Sequence, residues 1–167
     1  MKHLLSILCL VFFLLPLSAF ADPVQVNLVA PDKWESVTPE QNDSRIAVFV
    51  ENATENRIEV MQKELAKESF ANTFFEAIDE ELRQNSFKVE QPFKKKEIQL
   101  SNGKKRTGMA ASYKYDLTEV PINVQTFSFS EDSTTYIVIC YFAQANKESA
   151  MKAFNDFLKK MTKIKQR

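Results

Sequence analysis

Apolar positions along this chain fall into two periodicities. Ala66, Phe70, Phe74, Ala77, Ile78 and Leu82 recur every three or four residues. This spacing predicts an amphipathic helix over 63–85, with Glu64, Glu68, Glu76, Asp79, Glu80 and Glu81 on the remaining surface. Ser69 is the alternative N-cap if the helix begins later. A second helix is predicted over 146–164, where Met151, Phe154, Leu158 and Met161 form the apolar stripe and Asn146 is the expected N-cap.

The other segments read as strands. The runs 46–50 and 136–142 are continuously apolar and rich in β-branched and aromatic residues, as expected of strands covered on both faces. Val24, Val26 and Leu28 alternate with polar residues and suit a short strand, and Ile58-Glu59-Val60 suits another. Trp34, between loop-marking prolines, is expected to pack a loop onto the body. Strands are also expected over 87–93, 97–100, 105–115 and 122–130. The last changes parity between Val124 and Phe127, which implies a bulge at Gln125-Thr126 or cover on both sides. The order of strands, helix, strands, helix predicts one α+β domain over 22–167. Its largely antiparallel sheet is sandwiched between two main helices, an α/β/α arrangement.

Residues 1–21 change the composition. Lys2 forms a short positive region, an apolar core follows, Pro16 breaks it, and Ala19-Phe20-Ala21 supplies small residues for a cut. This is the pattern of a Sec-type signal peptide cleaved after Ala21, so a periplasmic or secreted location is expected. No second run of spanning length follows, so no transmembrane span is expected after cleavage. The whole chain has 22 Lys plus Arg and 22 Asp plus Glu; loss of Lys2 leaves 21 against 22, a net charge of −1. The same cut removes the only His, His3, and Cys9, one of two Cys.

With no His, Ser-His-Asp and Cys-His catalysis and the usual zinc sites are excluded. Glycines only at 103 and 108 exclude a P-loop or Rossmann fingerprint. Cys140 lies in a predicted core strand and reads as packing. The carboxylate pairs Glu64/Glu68 and Glu76/Glu80 read as a solvated helix face. The chain is therefore expected not to be an enzyme, and no cofactor or metal site is read in it.

The segment 94–106 is the most informative local feature. Asn102-Gly103 predicts a two-residue hairpin turn, which pairs Leu100 with Lys105 and Gln99 with Arg106. One face then carries Ile98, Leu100, Thr107, Met109 and Ala111; the other carries Lys95, Gln99, Lys104 and Arg106. That second face is the candidate binding site, for an acidic protein or an anionic envelope component. The competing account is lysines that keep an edge strand from pairing with other chains. Charge is also segregated: 64–83 carries six acids and two bases, and 147–167 carries seven bases and two acids. Nucleic acid is not an expected partner of an exported, near-neutral chain, and nothing in the pattern fixes an oligomeric state.

In order and texture, residues 24–162 resemble the PsbP-like superfamily. That group includes the extrinsic photosystem II subunit, a yeast Ran-binding protein and DcrB-type bacterial envelope proteins. The resemblance is carried by Trp34 ahead of the strand 45–50 and by the helix exit from Leu82 to Val89. The hairpin from Ile98 to Gly103, the Tyr136-Ile-Val-Ile strand and the terminal helix with Phe154 and Leu158 complete it. It implies the fold and a binding or assembly role, and it brings no site residues. The leading expectation is an exported binding or accessory protein acting by surface contact. The alternative is a carrier of a small apolar ligand, such as a lipid, with its pocket between sheet and helix.

Overall fold

The computed structural model describes residues 26–39, 45–64, 69–117, 119–132 and 134–164. Residues 1–21, where a signal peptide is expected, and Val24, Ala66 and Glu68 lie outside them. In chain order the elements are β1 (Trp34–Val37), β2 (Arg45–Glu51), β3 (Arg57–Glu64), α1 (Ser69–Gln84) and β4 (Lys88–Gln99). Then come β5 (Lys105–Tyr115), β6 (Ile122–Glu131), β7 (Thr134–Ala143), a short 3₁₀ turn over Gln144–Asn146 and α2 (Lys147–Lys160).

The strands form one seven-stranded antiparallel sheet in the order β1-β2-β3-β7-β6-β5-β4. Strands β1 to β3 run from one edge to the middle. Helix α1 carries the chain to the far edge, and β4 to β7 return as a meander. The halves join where β3 pairs with β7. The fold is thus α+β, as expected.

Strand β7 is the expected central strand, and its residues divide by parity. Tyr136, Val138 and Cys140 join Phe49, Ile58, Val60 and Phe127 in a cluster with Ala150, Phe154, Phe157, Leu158 and Met161 at α2. Ile137 and Ile139 join Ala111, Tyr113 and Val124 in a second cluster with Phe75, Ile78 and Leu82 of α1. Successive strand side chains point to opposite faces, so the two helices draw on opposite parities of one strand. Phe49 and Phe157 meet at 5.4 Å between ring centroids, tying β2 to α2.

Several local expectations are corrected. Lys63 and Glu64 belong to β3 because they continue the ladder with Thr135 and Thr134 of β7. Cross-strand pairing outweighs their helical spacing, and α1 starts at Ser69. Ala77 is exposed, and Phe75 takes an inward place beside Ile78 and Leu82. Trp34 opens an edge strand opposite Glu51, after a turn in which its N–H donates to the Pro31 carbonyl at 3.0 Å. The segments 87–93 and 97–100 merge into the single strand β4, whose register shifts between Val89 and Lys94. Strand β6 pairs with β7 without interruption, so its parity change reflects cover on both sides and no bulge. Asn146 provides no side-chain cap, because the preceding 3₁₀ turn leaves it near φ −102° and ψ 8°, away from the extended N-cap geometry.

Candidate functional site

The hairpin between β4 and β5 is closed by three residues, not two. Leu100 N–H donates to the Lys104 carbonyl at 2.8 Å, and Gly103 N–H donates back to Leu100 at 3.0 Å. Gly103 sits at φ 82°, the left-handed conformation that a three-residue hairpin loop requires at this position. The observed pairs are Gln99 with Lys105, Ile98 with Arg106 and Glu97 with Thr107. The register is one residue from the expected one, and a slip of one residue exchanges the faces of β5.

This corrects the placement of Arg106. It is only 7% exposed. Its Nη1 donates to the Met161 carbonyl at 2.5 Å and its Nη2 to Glu131 Oε2 at 2.7 Å. The guanidinium carbon lies 3.9 Å from the centre of the Phe129 ring. Arg106 therefore anchors the segment that follows α2 and belongs to no exposed basic surface. Lys95 and Gln99 are exposed on one side of the ribbon, joined there by Lys105, whose Nζ meets Glu97 at 2.8 Å. Lys104 is exposed in the loop. The structure thus brings Lys95 and Gln99 together, sets Lys104 at the tip, and removes Arg106. Ile98 lies on the Arg106 side and packs against the α2 cluster, while Met109 and Ala111 belong with α1.

A cleft of about 560 Å³ lies where α1 crosses the sheet. Met61, Ile78, Leu82, Phe87, Ile122 and Ile139 supply its apolar walls. Arg45, Glu59, Tyr141, Tyr115, Glu81 and Asn85 supply polar groups. Helix α1 is fixed above the sheet by Tyr113, whose hydroxyl donates to Asp79 Oδ1 at 2.8 Å. Asp79 also receives Arg83 Nε at 2.7 Å. Burial, helped by Asp79, raises the Tyr113 pKa far above its usual value, so the phenol remains a donor. Tyr113→Phe is expected to lower stability by about 1 kcal/mol, the usual net worth of one such bond, and to loosen α1. Urea unfolding reports the first effect, and amide exchange along α1 reports the second.

The polar end of the cleft is built on β3. Glu59 is 7% exposed, although Ile58 and Val60 flank it in an apolar run. It is held by two guanidiniums at one oxygen: Arg45 Nη1 at 3.1 Å and Arg57 Nε at 2.6 Å from Oε1. The Arg57 contact is an ion pair without hydrogen-bond alignment, since that buried N–H has no aligned acceptor among the described residues. Tyr141 faces Arg57 across the β3–β7 pair. Burial, reinforced by Glu59 and Glu81, raises its pKa strongly. Sequence reasoning missed this constellation. The usable signal was Glu59 itself, a charge in the middle of a strand whose neighbours are fully buried.

The remaining candidate chemistry is sparse. Cys140 is buried at the sheet centre, and desolvation pushes its thiol pKa up, away from the reactive thiolate. Glu76 and Glu80 are exposed on α1. Among the described residues no group of three or more His, Cys, Asp or Glu is placed to hold a metal, and no helix is long and apolar enough to cross a membrane.

No family model matches this sequence, and no curated protein does. Its fold is similar to that of PsbP (CyanoP) from Synechocystis sp. PCC 6803, with a TM-score of 0.55 and 10% identity over 83% of this chain and 86% of that one. It is similar also to LpqN of Mycobacterium tuberculosis, a protein involved in cell envelope biogenesis. There the TM-score is 0.53 and the identity 12%, over 87% of this chain and 88% of that one. The resemblance to the PsbP-like fold therefore holds at the level of architecture.

Proposed function

We propose that this chain is an exported, non-enzymatic binding protein that takes a small ligand with an apolar body in the cleft beneath α1. The cleft carries this reading. Its volume of about 560 Å³ falls in the range of small-molecule sites, and its apolar walls end in a few convergent polar groups. In this reading the sheet is the middle layer of an α/β/α sandwich, supported by the division of β7 between the two helix clusters. Export rests on the signal sequence ending at Ala21. An envelope role is in keeping with the fold shared with LpqN. A binding role is supported by Glu59, the buried carboxylate at the site, which is tied into an ion pair and not poised as a free acid or base. Native mass spectrometry of protein recovered from the envelope of its source tests this. A chain beginning at Asp22 with a bound small molecule is expected; an unprocessed chain, or only the bare mass, argues against it.

A second reading keeps the contact on the surface, through Lys95, Gln99 and Lys104, with an acidic protein or anionic envelope component. It is favoured by three successive lysines, Lys94 to Lys96, on the edge strand β4. The same lysines also protect that edge from pairing, and Glu97 offsets Lys105 beside them. The double change Lys95→Glu with Lys104→Glu is expected to alter stability by less than about 0.5 kcal/mol. If the ribbon binds, retention on phosphatidylglycerol vesicles falls in the variant and in high salt. Equal retention of both proteins removes the ribbon from the function.

A further inference from the structure

The two tyrosines on the α1 side of the sheet are used differently. Tyr113 gives its hydroxyl to Asp79. Tyr141, two strands away, lines the cleft, and no described residue takes a hydrogen bond from its hydroxyl. Beside it stands Arg57, whose side chain is 40% exposed and whose guanidinium has, among the described residues, only the unaligned contact to Glu59 Oε1. Arg45 reaches the same oxygen. Arg45 and Arg57 thus form a cationic pair at one carboxylate oxygen, next to Tyr141 at the edge of the cleft. Glu81 opposes it from α1 but is exposed, so water and salt screen it.

We propose that the cleft takes a single-chain amphiphile with a carboxylate head, the head at Tyr141 and Arg57 and the chain along Met61, Ile78, Leu82 and Ile139. This deepens the cleft reading and rests on it. A guanidinium fork matches the two oxygens of a planar carboxylate. The Tyr141 phenol, kept protonated by its burial, adds a third donor from the same side. A dianionic phosphate head meets Glu59 and Glu81 at greater repulsion, so the carboxylate is the better match. The apolar residues leading away from the polar end suit a hydrocarbon chain more than a second charged group.

The test is a titration of the full chain with decanoate, decan-1-ol, decyltrimethylammonium and decyl phosphate, read by equilibrium dialysis. Decanoate is expected to bind about tenfold more tightly than the alcohol, as for one charge-assisted hydrogen bond. Tyr141→Phe, which preserves shape, and Arg57→Gln should each remove most of that advantage, weakening decanoate far more than the alcohol. The carboxyl carbon of labelled decanoate should titrate below its free pKa when bound. Equal binding of alcohol, ammonium and carboxylate overturns the head assignment and leaves the cleft reading standing. Preference for decyl phosphate overturns the choice of carboxylate. Binding of none of the probes overturns both readings.

Discussion

Replacing Arg106 with alanine is expected to destabilise the protein by about 3 kcal/mol, although the residue sits in one of the most lysine-rich parts of the chain. Three losses combine. The Met161 carbonyl loses its donor inside the protein, Glu131 loses its partner, and Phe129 loses the cation stacked on its ring. A buried acceptor left without a partner costs about 1–3 kcal/mol, and a cation over an aromatic ring contributes about 0.5–2 kcal/mol. Glu131 is 27% exposed at its side chain, so water recovers part of its share. Arg106→Lys should restore less than half, because an ammonium lacks the fork that serves Met161 and Glu131 together. Lys95→Ala and Lys104→Ala, on exposed parts of the same hairpin, should stay within about 0.5 kcal/mol of the parent. Urea midpoints at unchanged slope measure all four variants. Tolerance of Arg106→Ala would return this residue to the surface and restore the two-residue turn.

The effect should be concentrated in the C-terminal segment. Ser101 N–H donates to the Lys159 carbonyl and Asn27 N–H to the Thr162 carbonyl, each at 2.8 Å. Arg106 ties Met161 between them. The hairpin, the first described residues and the end of α2 are thus held by bonds that converge on 159–163. Amide protection of Ser101 and Asn27 should fall in Arg106→Ala before that of β7, because local openings precede global unfolding.

The hairpin shows where sequence pattern was sufficient and where it was not. Asn102-Gly103 marked the turn correctly, because a glycine at positive φ suits both a two-residue and a three-residue loop. Loop length then decided which face Arg106 took, and the dipeptide does not encode it. The run Thr107 to Ala111 gave no clear alternation to settle the register. The continuous runs 46–50 and 136–142 were easier. Long apolar stretches flanked by polar residues have few alternatives, and β7 did become the centre of the sheet. Helix α1 was legible from its spacing, but its start was not. Lys63 and Glu64 suit either a helix surface or a strand, and only the β7 partner decides between them. The cleft was the least legible feature. Arg45, Glu59, Tyr141 and Leu82 come from four elements, and their meeting depends on β3 pairing with β7 while α1 crosses above.

Gly108→Ala is the other change expected to cost about 3 kcal/mol, at the upper end for inserting one carbon into a packed site. A Cβ at Gly108 would stand 2.2 Å from the Ser128 carbonyl oxygen and 2.6 Å from Phe127 Cζ. The Phe127 ring is 1% exposed and has little room to withdraw, and the carbonyl belongs to the backbone of β6. The strands themselves must separate, where Met109 pairs with Ser128. Gly103→Ala offers the contrast. Nothing lies within 4 Å of its added Cβ, so only the strain of φ 82° remains, about 1–2 kcal/mol. Phe127→Ala combined with Gly108→Ala should not recover the loss, because the carbonyl clash persists and a large core side chain is missing as well. The displacement should also reach the cleft. Strand β5 carries Tyr113, which fixes α1 through Asp79, and Tyr115, which lines the cleft. Gly108→Ala should therefore weaken decanoate and decan-1-ol equally, unlike Tyr141→Phe, which should weaken decanoate far more than the alcohol. A loss confined to decanoate would mean that β5 moves without disturbing α1 and that the cleft does not depend on this strand's position.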